Sequence, residues 1–112
     1  SRAIVNAFCA TLPGATVSDP WGGGHDARKV GGKMFASVGA VMTGVSVKTD
    51  SVETAQMLID AGVGLRAPYF HRSWVHLPDT CPEDELRHRI TQSYRIVRAG
   101  LTKKAQAALG PL

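Results

Sequence analysis

The sequence predicts a single α+β domain: an antiparallel sheet of about five strands with helices packed on it, in the order helix, three strands, helix, two strands, helix, helix. Three observations predict it. Residues 27–38 read as two strands around Gly31-Gly32, a pair suited to a tight hairpin because glycine tolerates positive φ. Apolar residues recur at helical spacing elsewhere, and this order of elements favours an antiparallel sheet over a wound parallel one. The chain's 112 residues, 44% hydrophobic and 20% charged, suit one domain with one core and not a disordered chain.

Along the chain, Ile4, Val5, Phe8, Cys9 and Leu12 share one stripe of a first helix over 3–12, which Pro13-Gly14 ends. Residues 15–26, with Asp19-Pro20-Trp21 and Gly22-Gly23-Gly24, read as a loop. Strands over 27–30 and 33–38 follow, and pairing outward from the turn sets Val30 opposite Lys33, Lys29 opposite Met34 and Arg28 opposite Phe35. A third strand over 44–49 places Val45 and Val47 on one face, Ser46 and Lys48 on the other. Asp50 or Ser51 caps a second helix carrying Val52, Ala55, Leu58 and Ile59 on its stripe and ending at Gly62 or Gly64. Residues 65–70 and 73–77 read as a second hairpin with Arg72 near its tip; Trp74 and His76 point one way, Val75 and Leu77 the other. Thr80-x-x-Glu83 has the form of a capping box, and Pro82 suits a first helical turn. A long helix then aligns Leu86, Ile90, Tyr94 and Val97, stops at Gly100, and is followed by a short helix over 102–109.

Composition narrows the classes of function. No apolar run approaches the roughly 20 residues that cross a bilayer, so no membrane role is expected. Two distant cysteines, Cys9 and Cys81, make no disulfide framework, and the first residues lack the order of a signal peptide. Cytoplasm is the expected compartment. The formal charge of +4 bears on partners, and its distribution is uneven. Arg87, Arg89, Arg95, Arg98, Lys103 and Lys104 follow one another without an intervening acid, and Arg28, Lys29 and Lys33 bracket the glycine pair.

The blocks LPGATVSDPWG (12–22), KVGGKMFASVG (29–39), GVSVKTD (44–50), Pro68-Tyr69, Ser73-Trp74-Val75 and PEDELRHRITQSYRIVRAGLTKK (82–104) resemble the MmcQ/YjbR family of small bacterial proteins, in the family's order and over nearly the whole chain. The resemblance implies an antiparallel sheet with helices packed on it, similar to secretion chaperones, with two hairpins likened to the wings of DNA-binding domains. DNA binding in the family is assigned from that shape. Arg28 departs from the pattern, standing where relatives carry an aromatic residue.

The candidate nucleic-acid contacts are Arg28, Lys29, Lys33 and Arg72 on the hairpins, and Arg87, Arg95 and Arg98 within about 80° of one another on the long helix. A structural role competes on that helix. Glu83 and Arg87, Asp84 and His88, and Glu85 and Arg89 are each four apart with the acid first, and acids early with bases late suit the helix dipole. Trp21, His25, Tyr69 and Trp74 are candidates for base stacking or a ligand pocket, whereas Phe8, Phe35 and Tyr94 read as core.

No catalytic centre is expected. His25-Asp26 has no Gly-x-Ser-x-Gly elbow to serve, Gly22-Gly23-Gly24 lacks the following Lys-Ser or Lys-Thr of a P-loop, and Cys9 reads as a small buried hydrophobe. His71, His76 and Cys81 match no zinc spacing, and no metal or cofactor is expected. The expectation is a non-catalytic module binding DNA with low sequence specificity. The alternatives are a chaperone-like module acting on a protein partner or as a homodimer, and a small-molecule-binding domain.

Overall fold

The computed structural model describes residues 2–19, 22–40 and 43–112. The chain runs α1 (Arg2–Ala10), β1 (Thr16–Ser18), β2 (Asp26–Val30), β3 (Lys33–Val38), β4 (Val45–Lys48), α2 (Val52–Asp60), β5 (Leu65–Arg66), β6 (Trp74–Leu77), α3 (Glu83–Ala99) and α4 (Lys103–Leu109). The strands form one antiparallel sheet in the spatial order β1-β2-β3-β4-β6-β5.

Residues directly opposite one another in an antiparallel ladder share a face. Val45 opposes Leu77, and Val47 lies between Val75 and Ala36, which makes one face of the central strands apolar. Helix α3 lays Leu86, Ile90, Tyr94 and Val97 on that face; Val5 and Cys9 of α1 and Leu58 of α2 complete the core. Tyr94 meets the edge of Phe35 at 5.4 Å and donates its phenol O–H to the Pro13 carbonyl, so its polar end is satisfied. Ser51 caps α2, accepting from the Thr54 N–H at 3.0 Å.

Gly31 and Gly32 form the hairpin turn with φ of +58° and +79°, the mirror-image geometry that matches strand twist. A Cβ on Gly31 would lie 2.5 Å from Leu101, so the α3–α4 connection is packed directly on this tip.

Four details differ from the sequence-based expectation. The segment 15–26 contains a short edge strand, β1, whose Val17 opposes Arg28; its three residues are all exposed, so no apolar alternation marked it. Arg28 opposes Ala36 and not Phe35, because β3 carries one extra residue at a bulge between the Arg28–Ala36 and Lys29–Met34 pairs. The second hairpin has only two residues in β5 and a seven-residue connection, since Pro68 has no N–H for a ladder and Tyr69 has a positive φ. The capping box does not form: Pro82 stands at the N-cap of α3 without a side-chain cap, and three acids populate the first turn.

The bulge has a structural consequence. Only two pairs, Ala36–Val47 and Ser37–Ser46, join β3 to β4. Beyond them the ladder opens, and the fully buried Ser93 of α3 enters the gap. Its hydroxyl accepts from the Lys48 N–H at 2.9 Å and donates to the Phe35 carbonyl at 2.5 Å. One side chain thus satisfies the donor and the acceptor that the opened ladder leaves behind. Ser93→Ala leaves both unpaired, and we expect a loss of about 2–4 kcal/mol, seen as a fall in melting temperature on the order of 10 °C. The exposed-side control Gln92→Ala is expected to change stability by less than about 0.5 kcal/mol.

Candidate nucleic-acid interface

Strands β3 and β6 are both antiparallel to β4, so they run the same way and their N-terminal ends lie at one end of the sheet. Each is entered from a hairpin connection, and the two tips therefore share that end. Three strand spacings separate their midlines, roughly 14 Å. Lys48 and the Thr49–Ser51 link leave β4 between them, and Leu101 on Gly31 brings the α4 start, with Lys103 and Lys104, beside the first tip. An open cleft of about 350 Å³ lies between β4 and α3 near this end, lined in part by Lys48, Thr54, His88, Arg89 and Gln92.

The second tip is built around a strained turn. Phe70 N–H donates to the Ala67 carbonyl at 3.4 Å, closing a turn with Pro68 and Tyr69 at its centre. Proline holds its own φ negative, and Tyr69 has φ +70°, so the turn is of type II with tyrosine where glycine is the relaxed choice. The Arg66 guanidinium fixes the loop by donating to the carbonyls of Ala67 (2.6 Å) and Phe70 (3.0 Å). Phe70 stacks on the buried Trp74 at 4.6 Å, and His71 Nδ1 accepts from the Ser73 N–H. The Tyr69 ring is fully exposed, at 105% of its reference area.

The sequence-predicted basic residues divide into three groups. Lys33 and Arg72 are exposed at the two tips, and among the described residues neither pairs with a carboxylate. Lys29 is half-buried on β2, and strand alternation puts it on the face away from Arg28. Arg28 is half-buried beneath α1, donating to the Asn6 side chain at 3.3 Å, so it is not offered to a phosphate.

The helix arginines form no shared ridge. Arg87 pairs with Glu83 at 3.5 Å and lies over the Phe8 ring, whereas Arg98 is occupied by Tyr94 and by the carbonyls of Gln106 in α4 and of Gly110 just after it. Arg95 is exposed on α3 without an ion pair among the described residues, whereas Arg87 is exposed but paired. Arg89 pairs with Glu85 at 2.7 Å, as the four-residue spacing anticipates.

The described residues among those suggested for a ligand pocket do not come together either. Trp21 lies outside the described residues. His25 is in the 22–25 loop, its Nδ1–H donating to the Gly22 carbonyl at 2.9 Å, and Trp74 is buried under Phe70. Of the described residues among these, Tyr69 is the most exposed to solvent. Lys48 was not singled out from the sequence; it became a neighbour of both tips only through strand order.

Other polar clusters are structural. Asp26 accepts from Asn6 at 2.9 Å and from Arg2 at 2.8 Å, and Arg2 also holds the Gly24 and Gly39 carbonyls, which ties α1 to the strand ends. The Asn6 hydrogen bond lowers the Asp26 pKa most; desolvation opposes it, and Arg2 and Arg28 lower it further. On the sheet face away from α3, His76 donates from Nε2 to the Thr43 carbonyl at 2.8 Å and its Nδ1 meets the Ser46 hydroxyl at 3.0 Å. Both side chains are buried, and a Cβ on Gly44 would lie 2.9 Å from the ring, so this serine–histidine pair has no room for a substrate. Burial pushes the Cys9 thiol up to about 11 despite Arg28, which keeps it a protonated core residue at neutral pH. Among the described residues no three His, Cys, Asp or Glu side chains converge on a point that would hold a metal, and no helix is long and apolar enough to cross a membrane.

The family model described as YjbR matches residues 10–96. The fold is similar to the crystal structure of a Deinococcus radiodurans protein with a DUF419 domain, at TM-score 0.83 and 24% identity, covering 96% of this chain and 86% of that one. No curated protein matches the sequence.

Two predictions follow from the site's construction. Removing left-handed strain of roughly 1–2 kcal/mol outweighs or cancels the roughly 0.4–1 kcal/mol of chain entropy that glycine adds to the unfolded state. Tyr69→Gly is therefore expected to melt at or above the wild-type temperature, and a clear fall would contradict the turn assignment. The folded pKa of Asp26 lies below its unfolded value of about 3.9, so its stabilisation is complete above that pH and is lost as pH falls through the folded value. Asp26→Asn should thus be destabilised at pH 6–7, with the gap from wild type closing below about pH 4.

Proposed function

The chain belongs to the YjbR family, and we propose that it is a non-catalytic module that binds nucleic acid with low sequence specificity, through phosphate contacts from the two hairpin tips at one end of its sheet. The single observation that carries this is the shared end: strand order puts exposed Lys33 and exposed Arg72 on the same side of the molecule, with Lys48 between them. A separation of roughly 14 Å equals the axial rise over about four phosphates of one strand of a duplex. Point cations of this kind hold a backbone in register without reading bases.

This reading narrows the interface foreseen from the sequence. Arg28, Arg87 and Arg98 have partners inside the protein, and the helix ridge contributes at most Arg95. Three phosphate contacts are few. The corresponding dissociation constant is that of a non-specific binder, on the order of 10⁻⁴ to 10⁻⁶ M at physiological salt.

Fluorescence anisotropy with a labelled mixed-sequence oligonucleotide tests the proposal. Contact with three phosphates predicts an affinity that falls about 40-fold for a duplex, or about 20-fold for a single strand, between 50 and 200 mM salt. The Lys33→Glu, Arg72→Glu double variant should bind more weakly and show a shallower salt slope by about two phosphates. Arg87→Glu, on the other half of α3, should change little. Binding that is absent at low salt, or a salt slope untouched by the double variant, contradicts the proposal.

A further inference from the structure

We infer that Tyr69 is a stacking platform for an unpaired base, which makes this surface selective for single-stranded over duplex nucleic acid. The inference rests on the nucleic-acid reading above and assigns its substrate class.

The three aromatic residues of this region are treated differently by the fold. Trp74 is buried, Phe70 is stacked on it, and Tyr69 stands wholly in water. An exposed ring alone is ordinary. This one is held in a backbone conformation that disfavours a side chain, at a turn position where glycine would serve the fold better. Structural strain that no packing contact explains points to a use for the ring.

The loop is also rigid on the side that matters. Arg66 donates to the carbonyls on both sides of the Pro68-Tyr69 pair, the Phe70–Trp74 stack fixes the residue that follows, and Trp74 N–H donates to the His71 carbonyl at 2.8 Å. A prefixed ring loses little freedom on contact. Arg72 lies three residues away, and Lys48 and Lys33 stand along the same end of the sheet. An aromatic face beside a short row of cations is the arrangement that binds single strands, in which the backbone follows the charges and a base lies on the ring. A duplex offers its phosphates to the same cations but keeps its base faces occupied within its own stack.

The test compares a labelled single-stranded oligonucleotide with the same sequence as duplex, across a series of matched salt concentrations, for wild type, Tyr69→Ala, Tyr69→Trp and Tyr69→Gly, each checked for its melting temperature. Wild type should prefer the single strand. Tyr69→Ala should weaken single-strand binding roughly 5- to 150-fold while leaving duplex binding and the salt slope unchanged. Tyr69→Trp should retain the preference, and Tyr69→Gly should lose it without losing stability.

Three outcomes overturn the inference. If both forms bind with the expected salt dependence and Tyr69→Ala changes neither, the ring serves another kind of partner, such as a protein pocket, and only the phosphate reading stands. Equal losses on both forms, at unchanged melting temperature, show that the ring does not read unpaired bases. If wild type binds neither form, both this inference and the proposed function fall.

Discussion

The hydroxyl of Ser93 occupies the point on which the geometry of this molecule turns. The bulge in β3 opens the sheet between β3 and β4 at the end where both hairpins protrude, leaving two halves, β1-β2-β3 and β4-β6-β5, joined there by few ladder bonds. Ser93 bridges the opening with one donated and one accepted hydrogen bond, and in doing so anchors α3 to both halves. The distance between the tips is set across this seam. Its cost, had the hydroxyl been absent, would be a buried amide and a buried carbonyl without partners, which is more than most single contacts in a domain of this size contribute.

From that seam outward, the chain spends its arginines on architecture and leaves a few cations free. Arg2 collects carbonyls and Asp26 at the far end of α1, Arg98 gathers the C-terminal end of α4, and Arg66 clamps the second tip. A guanidinium's several donors suit this role of satisfying carbonyls that loops leave unpaired. Exposed Lys33 and Arg72 sit at the two hairpin tips that the sheet carries to one end, while Lys29 is half-buried on β2 and Arg95 lies on α3. The basic character of the sequence therefore overstates the basic character of any one surface.

Much of the fold was legible because its signals are local. The Gly31-Gly32 turn, the Leu86-Ile90-Tyr94-Val97 stripe and the cap at Ser51, one of the two residues that spacing offered, each follow from short-range chemistry. The bulge at Phe35 was not legible, since it arises from pairing across strands and from a serine 58 residues away in sequence. Strand β1 escaped notice because an exposed edge needs no apolar alternation. The candidate site was half visible. Places near hairpin tips marked Lys33 and Arg72, but local spacing alone could not show that Arg98 turns inward to α4 or that Arg28 lies under Asn6. Tyr69 carried no readable sign: a Pro68-Tyr69 pair at a turn centre also fits a type I turn, whose second central residue has a negative φ, so the left-handed backbone of Tyr69 is visible only in the fold.

The central claim is that both hairpin tips form one contact surface, held in register by the Ser93 bridge. Amide chemical-shift mapping by NMR during titration with a short single-stranded oligonucleotide tests it most directly. The account predicts shifts at residues 31–33, 48–50 and 67–72 that follow one common binding curve, with the outer face of α2 silent. Shifts confined to one tip, two unrelated curves, or a response centred on Arg87 and the α1 side of the helices would contradict it.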